Sequence, residues 1–258
     1  MPGNRLRGGN GALKLRFGSI VGFSKDAYPG RAAAVVLLAG CPWKCGYCYS
    51  APLVDASGYA EEETSFFVDF MRKNREGLDA IVFSGGEPCM QGNALTEACR
   101  MLSENGFKVK VDTNGYYPDA LHDLLPFVNY VAMDVKTKLD AGEYARVAGF
   151  KGDPRILLSQ LLRSLAFLEK ARVLKEFRTT VIPGVNDFPD FVLDITEQVR
   201  FADVYALQQF VPRQGLLGKE FELVEAPSKE KLLKLAAVAR HNVSKVVVRA
   251  DGEEVELF

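Results

Sequence analysis

The run AAAVVLLAGCPWKCGYCYS, residues 32–50, joins an apolar stretch to three cysteines within eight positions, Cys41, Cys45 and Cys48. An apolar run rich in β-branched residues and closed by glycine predicts a buried strand. The cysteines then fall on the loop at the strand's end, with the spacing C-x3-C-x2-C. The whole chain has 5 cysteines in 258 residues, so this concentration is a chemical signal. Thiolates are soft ligands that select iron–sulfur clusters, zinc or copper(I). Structural zinc takes four protein ligands, usually as paired C-x2-C units or a Cys–His set. The run offers three cysteines and no histidine. A [4Fe–4S] cluster held by three cysteines has one iron without a protein ligand. A second signature, SGGEP at 84–88, closes the next strand-like segment.

Working outward, six stretches read as strands: 32–40, 79–86, 107–115, 130–136, 177–184 and 203–210. Helical patterns lie between them at 62–76, 93–105, 155–172 and 188–201. In the first of these, Phe66, Phe67 and Phe70 are expected to line one face. A last helix over 227–241 precedes a short strand at 245–250. Strand–helix alternation predicts a parallel sheet with crossover helices. Near-continuous apolar strands predict burial on both faces. The unusual polar residues gather at strand ends: Cys41, Gly85 to Glu87, Asp112, Asp134 with Lys136, Arg178 with Thr180, and Gln208. In a parallel sheet those ends share one edge, where α/β folds place their sites. Asp134 and Lys136 are two apart and share a strand face, and a charged pair within an apolar strand calls for a partner or a function.

Composition narrows the classes. The apolar fraction is 48%, the charged fraction 25% and the net charge -1, so no strong field favours nucleic acid or anionic lipid. No apolar run approaches the roughly 20 residues of a membrane span. Residues 1–12, basic and glycine-rich, are expected to form a flexible tail, and 13–258 a single domain. Three close unpaired thiols imply a reducing compartment, and the cytoplasm is the expected setting. Cys89 and Cys99 are expected to be inert core thiols.

CPWKCGYC together with SGGEP resembles the radical S-adenosylmethionine (SAM) superfamily, over roughly residues 13 to 250. The resemblance implies an α/β fold, a partial (β/α)6 TIM-like barrel open on one side. It implies that Cys41, Cys45 and Cys48 hold a [4Fe–4S] cluster whose fourth iron is chelated by SAM. The reduced cluster then cleaves SAM to methionine and a 5′-deoxyadenosyl radical. VDTNGYYPDAL (111–121), MDVKT (133–137) and RTTVIPGVND (178–187) are similar to activating enzymes of glycyl-radical enzymes. LQQFVPRQGLL (207–217) and VVVRADG (246–252) look most like the activating protein of anaerobic ribonucleoside-triphosphate reductase. That implies abstraction of hydrogen from a backbone glycine of a partner enzyme. It also implies a reducing electron donor such as flavodoxin or ferredoxin. Residues 50–79 contain no cysteine, so the two extra ferredoxin-like clusters of some relatives are not expected.

Carried onto this sequence, the resemblance places Tyr47 near the cluster and the adenine. Gly85 and Gly86 receive the ammonium of SAM through main-chain oxygens, with Glu87 as the acid. Asp112, Thr113 and Asp134 surround the methionine end of SAM, with room for a monovalent cation. Lys136 accompanies Asp134. Arg178 faces either a carboxylate of SAM or a neighbouring acid, and Gln208 faces the barrel. Two rivals stand beside the activase: a radical SAM enzyme acting on a small molecule, like 7-carboxy-7-deazaguanine synthase, and a non-catalytic Fe–S or zinc-binding module.

Overall fold

The computed structural model describes residues 12–257; the expected tail over 1–12 lies outside them, apart from Ala12. The described residues open with a long strand, β1 (Lys14–Ser24), that turns back antiparallel onto β2 (Ala33–Leu38). β3 (Glu61–Glu63) pairs with the other side of β1. The crossover pattern then begins: α1 (Thr64–Lys73), β4 (Ala80–Gly85), α2 (Gly92–Glu104), β5 (Lys108–Thr113), α3 (Pro118–Leu124) and β6 (Tyr130–Asp134). Two helices follow, α4 (Ala141–Ala148) and α5 (Pro154–Lys170), before β7 (Leu174–Val181). The chain ends with α6 (Pro189–Gln198), β8 (Val204–Gln209), α7 (Lys229–Ala239), β9 (Val246–Ala250) and β10 (Glu253–Leu257).

The strands form one sheet in the order β10-β9-β8-β7-β6-β5-β4-β2-β1-β3. From β2 to β9 every pairing is parallel. β2 and β9 do not pair, so the curved sheet is an open, partial barrel. It carries one more parallel strand than the six expected. The segment 245–250 joins the parallel run, because α7 provides the crossover that returns it beside β8.

Local chemistry explains the helix boundaries. Proline sits in the first turn of α3, α5 and α6, where its missing N–H costs nothing. Asp140, Asp153 and Ser228 cap α4, α5 and α7 by accepting from backbone N–H groups. α1 buries Thr64, Phe67, Val68 and Met71, an i, i+3, i+4, i+7 stripe. Phe66 therefore points outward, 37% exposed, against the expectation that it shares a face with Phe67. The main core lies between the sheet and the helices and includes Phe67, Phe83, Leu95, Phe177 and Leu235. A smaller cluster plugs the inside of the barrel: Ala33, Ala80, Val82 and Ala132 leave room for Tyr28 and Tyr130, whose rings meet edge to face at 5.5 Å. Above that plug the inner face turns polar.

Candidate active site

A cavity of about 450 Å³ sits at the carboxyl ends of the parallel strands. Its wall includes Cys41, Cys45 and Cys48 after β2, Gly85 and Gly86 after β4, and Asp112, Thr113 and Asn114 at β5. Asp134 and Lys136 contribute from β6, Arg178 and Thr180 from β7, Gln208 and Gln209 from β8, and Arg249 from β9. Tyr47 also lines it. The fold thus brings twelve of the thirteen expected site residues to one cavity; the thirteenth is Glu87.

Glu87 is 0% exposed and turned away from the cavity. Its Oε1 accepts from the Cys89 N–H at 2.9 Å and the Thr113 hydroxyl at 2.7 Å, and its Oε2 accepts from the Asn114 N–H at 2.6 Å. Burial pushes its carboxyl up to about 7, while these donors pull it the other way. The side chain rivets the turn after β4 to the turn after β5. It does not line the cavity, and the carboxylates on the cavity wall are Asp112 and Asp134.

Gly85 and Gly86 are there because two backbones touch. Gly85 has φ +108°, and a Cβ on it would lie 2.6 Å from the Leu38 carbonyl oxygen. A Cβ on Gly86 would lie 2.3 Å from the Gly40 carbonyl oxygen. Hydrogen bonds close this seam: Gly86 N–H donates to Leu38 O at 2.8 Å, and Glu87 N–H to Gly40 O at 2.7 Å. The SGGEP turn and the cysteine loop are therefore one rigid unit. From below, the cysteine loop rests on the end of α4, where Lys44 N–H donates to Ala148 O at 3.1 Å. The sequence reading did not identify α4.

The charged groups form a chain across strand ends. Arg178 Nε lies 2.7 Å from Asp134 Oδ1, and Lys136 Nζ 2.7 Å from Asp134 Oδ2. Burial disfavours the Asp134 anion, but Arg178 and Lys136 outweigh that and hold its carboxyl well below the usual range. Asp112 sits 3.3 Å from both Arg178 and Lys110 and accepts from Ser84 at 2.9 Å. Beneath them, the buried Glu176 pairs with Arg249 at 2.6 Å and accepts from the Tyr130 hydroxyl. Lys110, Glu176 and Arg249 escaped the sequence reading. Their signal was present as polar period-two spacing: Lys110 with Asp112, and Glu176 with Arg178 and Thr180.

The residues fit an iron–sulfur cluster with a further ligand beside it. All three thiols are free and face one cavity. Burial pushes Cys41 up to about 12 and Cys45 up to about 11, and also raises Cys48, so without a metal they stay protonated. A multiply charged centre is what would draw three thiolates together there. Among the described residues no group of three or more His, Cys, Asp and Glu side chains is gathered closely enough to hold one ion. Two buried polar atoms of cavity-lining residues have no hydrogen-bond partner in the protein, Trp43 Nε1 and the Tyr47 hydroxyl, and Asp112 Oδ1 has only its 3.3 Å ion-pair contacts with Arg178 and Lys110.

The radical SAM superfamily profile matches residues 35–195, more than half of the chain. The chain belongs to the radical SAM superfamily of enzymes. Within it, a putative glycyl-radical enzyme activating enzyme of Methanocaldococcus jannaschii is 35% identical over 249 residues, covering 95% of this chain and 100% of that protein. The 7-carboxy-7-deazaguanine synthase of Thermococcus kodakarensis is 27% identical over 126 residues, covering 42% of this chain and 50% of that protein. Among solved structures, a radical SAM methyltransferase from Sphaerobacter thermophilus shares the fold with a TM-score of 0.67 at 20% identity, over 86% of this chain and 67% of that one. No helix among the described residues is long and apolar enough to cross a membrane.

Proposed function

We propose that this protein is a glycyl-radical enzyme activase that uses SAM and a [4Fe–4S] cluster, with anaerobic ribonucleoside-triphosphate reductase as its partner. The observation that carries the reading is the shape of the site. A second cleft of about 740 Å³ lies between residues 25–30 and the β9–β10 turn. It shares Asp112, Arg178, Gln208, Gln209 and Arg249 with the cysteine-lined cavity. A site that opens sideways through the unclosed barrel suits a loop of another protein. The full-length similarity to a putative activating enzyme supports the same class.

When bound and reduced, the cluster supplies the electron that cleaves SAM. Cys41, Cys45 and Cys48 would hold it. The chain's own groups then position SAM: the main chain at Gly85 and Gly86 offers close approach, while Asp134, Lys136 and Arg178 form a fixed set of charges that needs no reorganisation. Asp112 and Asp134 are already bridged by Arg178, so a monovalent cation beside SAM would share those acids with a guanidinium. Tyr47 and Trp43 line the wall and exclude water. The electron donor in this reading is a small redox protein of the flavodoxin or ferredoxin kind.

The test uses reconstituted, reduced protein, SAM, and a candidate reductase deuterated at glycine α-carbons. Deuterium in 5′-deoxyadenosine, with a glycyl radical on the reductase by electron paramagnetic resonance, is the expected result. Unlabelled nucleoside whose formation only a small molecule accelerates would replace this reading with the small-molecule rival.

A further inference from the structure

The cysteine loop and the chain after β8 come from opposite ends of the parallel sheet, yet they are fastened together at two points. The first is Tyr49, which directly follows Cys48. Its hydroxyl donates to Val211 O at 3.1 Å and accepts from Val211 N–H at 2.6 Å. Its ring stacks on Phe210, with centroids 6.0 Å apart and planes 7° apart. Arg213 lies over the same ring at 4.4 Å and donates to the Tyr49 carbonyl at 2.5 Å. The second point is Gly46, between Cys45 and Cys48. Its carbonyl accepts from Gly218 N–H at 2.8 Å, and the Phe221 ring lies so close that a Cβ on Gly46 would be 2.4 Å away.

Between these points the segment is irregular backbone that exposes Val211 (53%) and Leu217 (42%). Phe210 and Leu216 anchor it in a small apolar cluster with Tyr47 and Ile182, while residues 211, 213–215 and 217 are exposed, so its hold on the site is concentrated at a few contacts. Tyr49 is also part of the cavity wall beside Cys48. We propose that residues 210–221 form a strap that closes the site over Cys48, and that Tyr49 is the latch of that strap. The strap links the end of β8 to the loop after β2 and contributes no strand pairing, so opening it uncovers the cysteine loop without unfolding the barrel. Tyr49 acts here as a positioning residue. The inference rests on the cysteine loop being the cluster loop, but its first readout needs no cluster.

The test compares wild type, Tyr49→Ala, Tyr49→Phe and Arg213→Met. In full-length iron-free protein, thiol labelling by a neutral alkylating reagent is followed at each cysteine by mass spectrometry. Cys89 and Cys99, at 1% and 0% exposure, serve as internal controls. Tyr49→Ala is expected to speed labelling of Cys48 about tenfold, the effect of losing roughly 1.4 kcal/mol of closure. Cys89 and Cys99 stay unreactive. Tyr49→Phe, which keeps the stacking, and Arg213→Met are expected to give smaller accelerations confined to Cys41, Cys45 and Cys48. Reconstituted Tyr49→Ala is expected to bleach in air faster than wild type in the same order. Equal labelling of Cys48 in wild type and Tyr49→Phe or Arg213→Met overturns the latch, as does acceleration at all five cysteines, which signals general loosening. If Tyr49→Ala does not fold, the other two variants decide. Confined acceleration in protein that takes up no iron would leave the strap standing and remove the cluster reading.

Discussion

The Arg178 guanidinium bridges two strand ends, with Nε 2.7 Å from Asp134 Oδ1 and Nη1 3.3 Å from Asp112 Oδ1. Lys136 takes the remaining oxygen of Asp134. Asp134 is therefore the hub of the charge chain. Asp134→Asn removes the shared counter-charge, leaving the largely buried Lys136 without its ion-pair partner and Arg178 with Asp112 alone. A loss on the order of 3 kcal/mol is expected, together with weaker SAM binding at unchanged iron content. Thermal unfolding, iron analysis and SAM titration on the same preparation check both parts. Unchanged stability and affinity would take the pair out of the site.

The buried ion pair below the site sets an acid limit on stability. Glu176 is 1% exposed; burial alone would raise its carboxyl, but Arg178 and Arg249 bring it down to about 2. An unfolded glutamate titrates near about 4.3. Because the folded value is the lower one, the unfolded chain binds the extra proton between them, and stability falls as pH falls from about 4.3 to 2. The contribution present above that window is up to about 3 kcal/mol. Unfolding free energy measured against pH should be flatter in Glu176→Gln than in wild type across that interval. Parallel profiles would contradict the assignment.

Glu87→Gln tests the rivet between the two turns. The amide would set an NH2 donor among the Thr113, Asn114 and Cys89 donors, which all need acceptors. A cost of about 1–3 kcal/mol is expected for the unsatisfied group. Denaturant unfolding measures it. A stability equal to wild type would show that the turns do not depend on this carboxylate.

Gly149 ends α4 with φ +60°, and a Cβ there would meet the Lys44 carbonyl oxygen at 2.2 Å. Gly149→Ala should push the cysteine loop off its seat. The expected outcome is impaired iron incorporation in protein that still melts cooperatively. Normal iron content would show that the loop tolerates the shift.

Cys41→Ala, Cys45→Ala or Cys48→Ala should each prevent assembly of a normal cluster, where wild type takes about four irons per chain. Cys99→Ala, on the buried face of α2, should not. Iron and sulfide analysis after anaerobic reconstitution distinguishes them. A normal cluster in Cys45→Ala would remove that ligand.

The sequence by itself determined the alternation of strands and crossover helices, because buried parallel strands must be apolar along their length. It also determined that the cysteine loop, SGGEP, Asp112, Asp134 and Arg178 lie at one edge, because parallel strands end together. It missed α4, which at 8 residues is too short for a helical period to stand out. It took 245–250 as an appended strand, since pairing with β8 depends on a crossover that no local pattern encodes. Only the tertiary structure decided which polar side chains face the cavity. Glu87 looks like a ligand in SGGEP and is a rivet, because three donors from neighbouring turns converge on it. Lys110, Glu176 and Arg249 look like stray charges and form the floor of the site, because partners far apart in sequence meet inside the barrel. Their pairing is a matter of distance in space, and spacing along a single chain does not carry it.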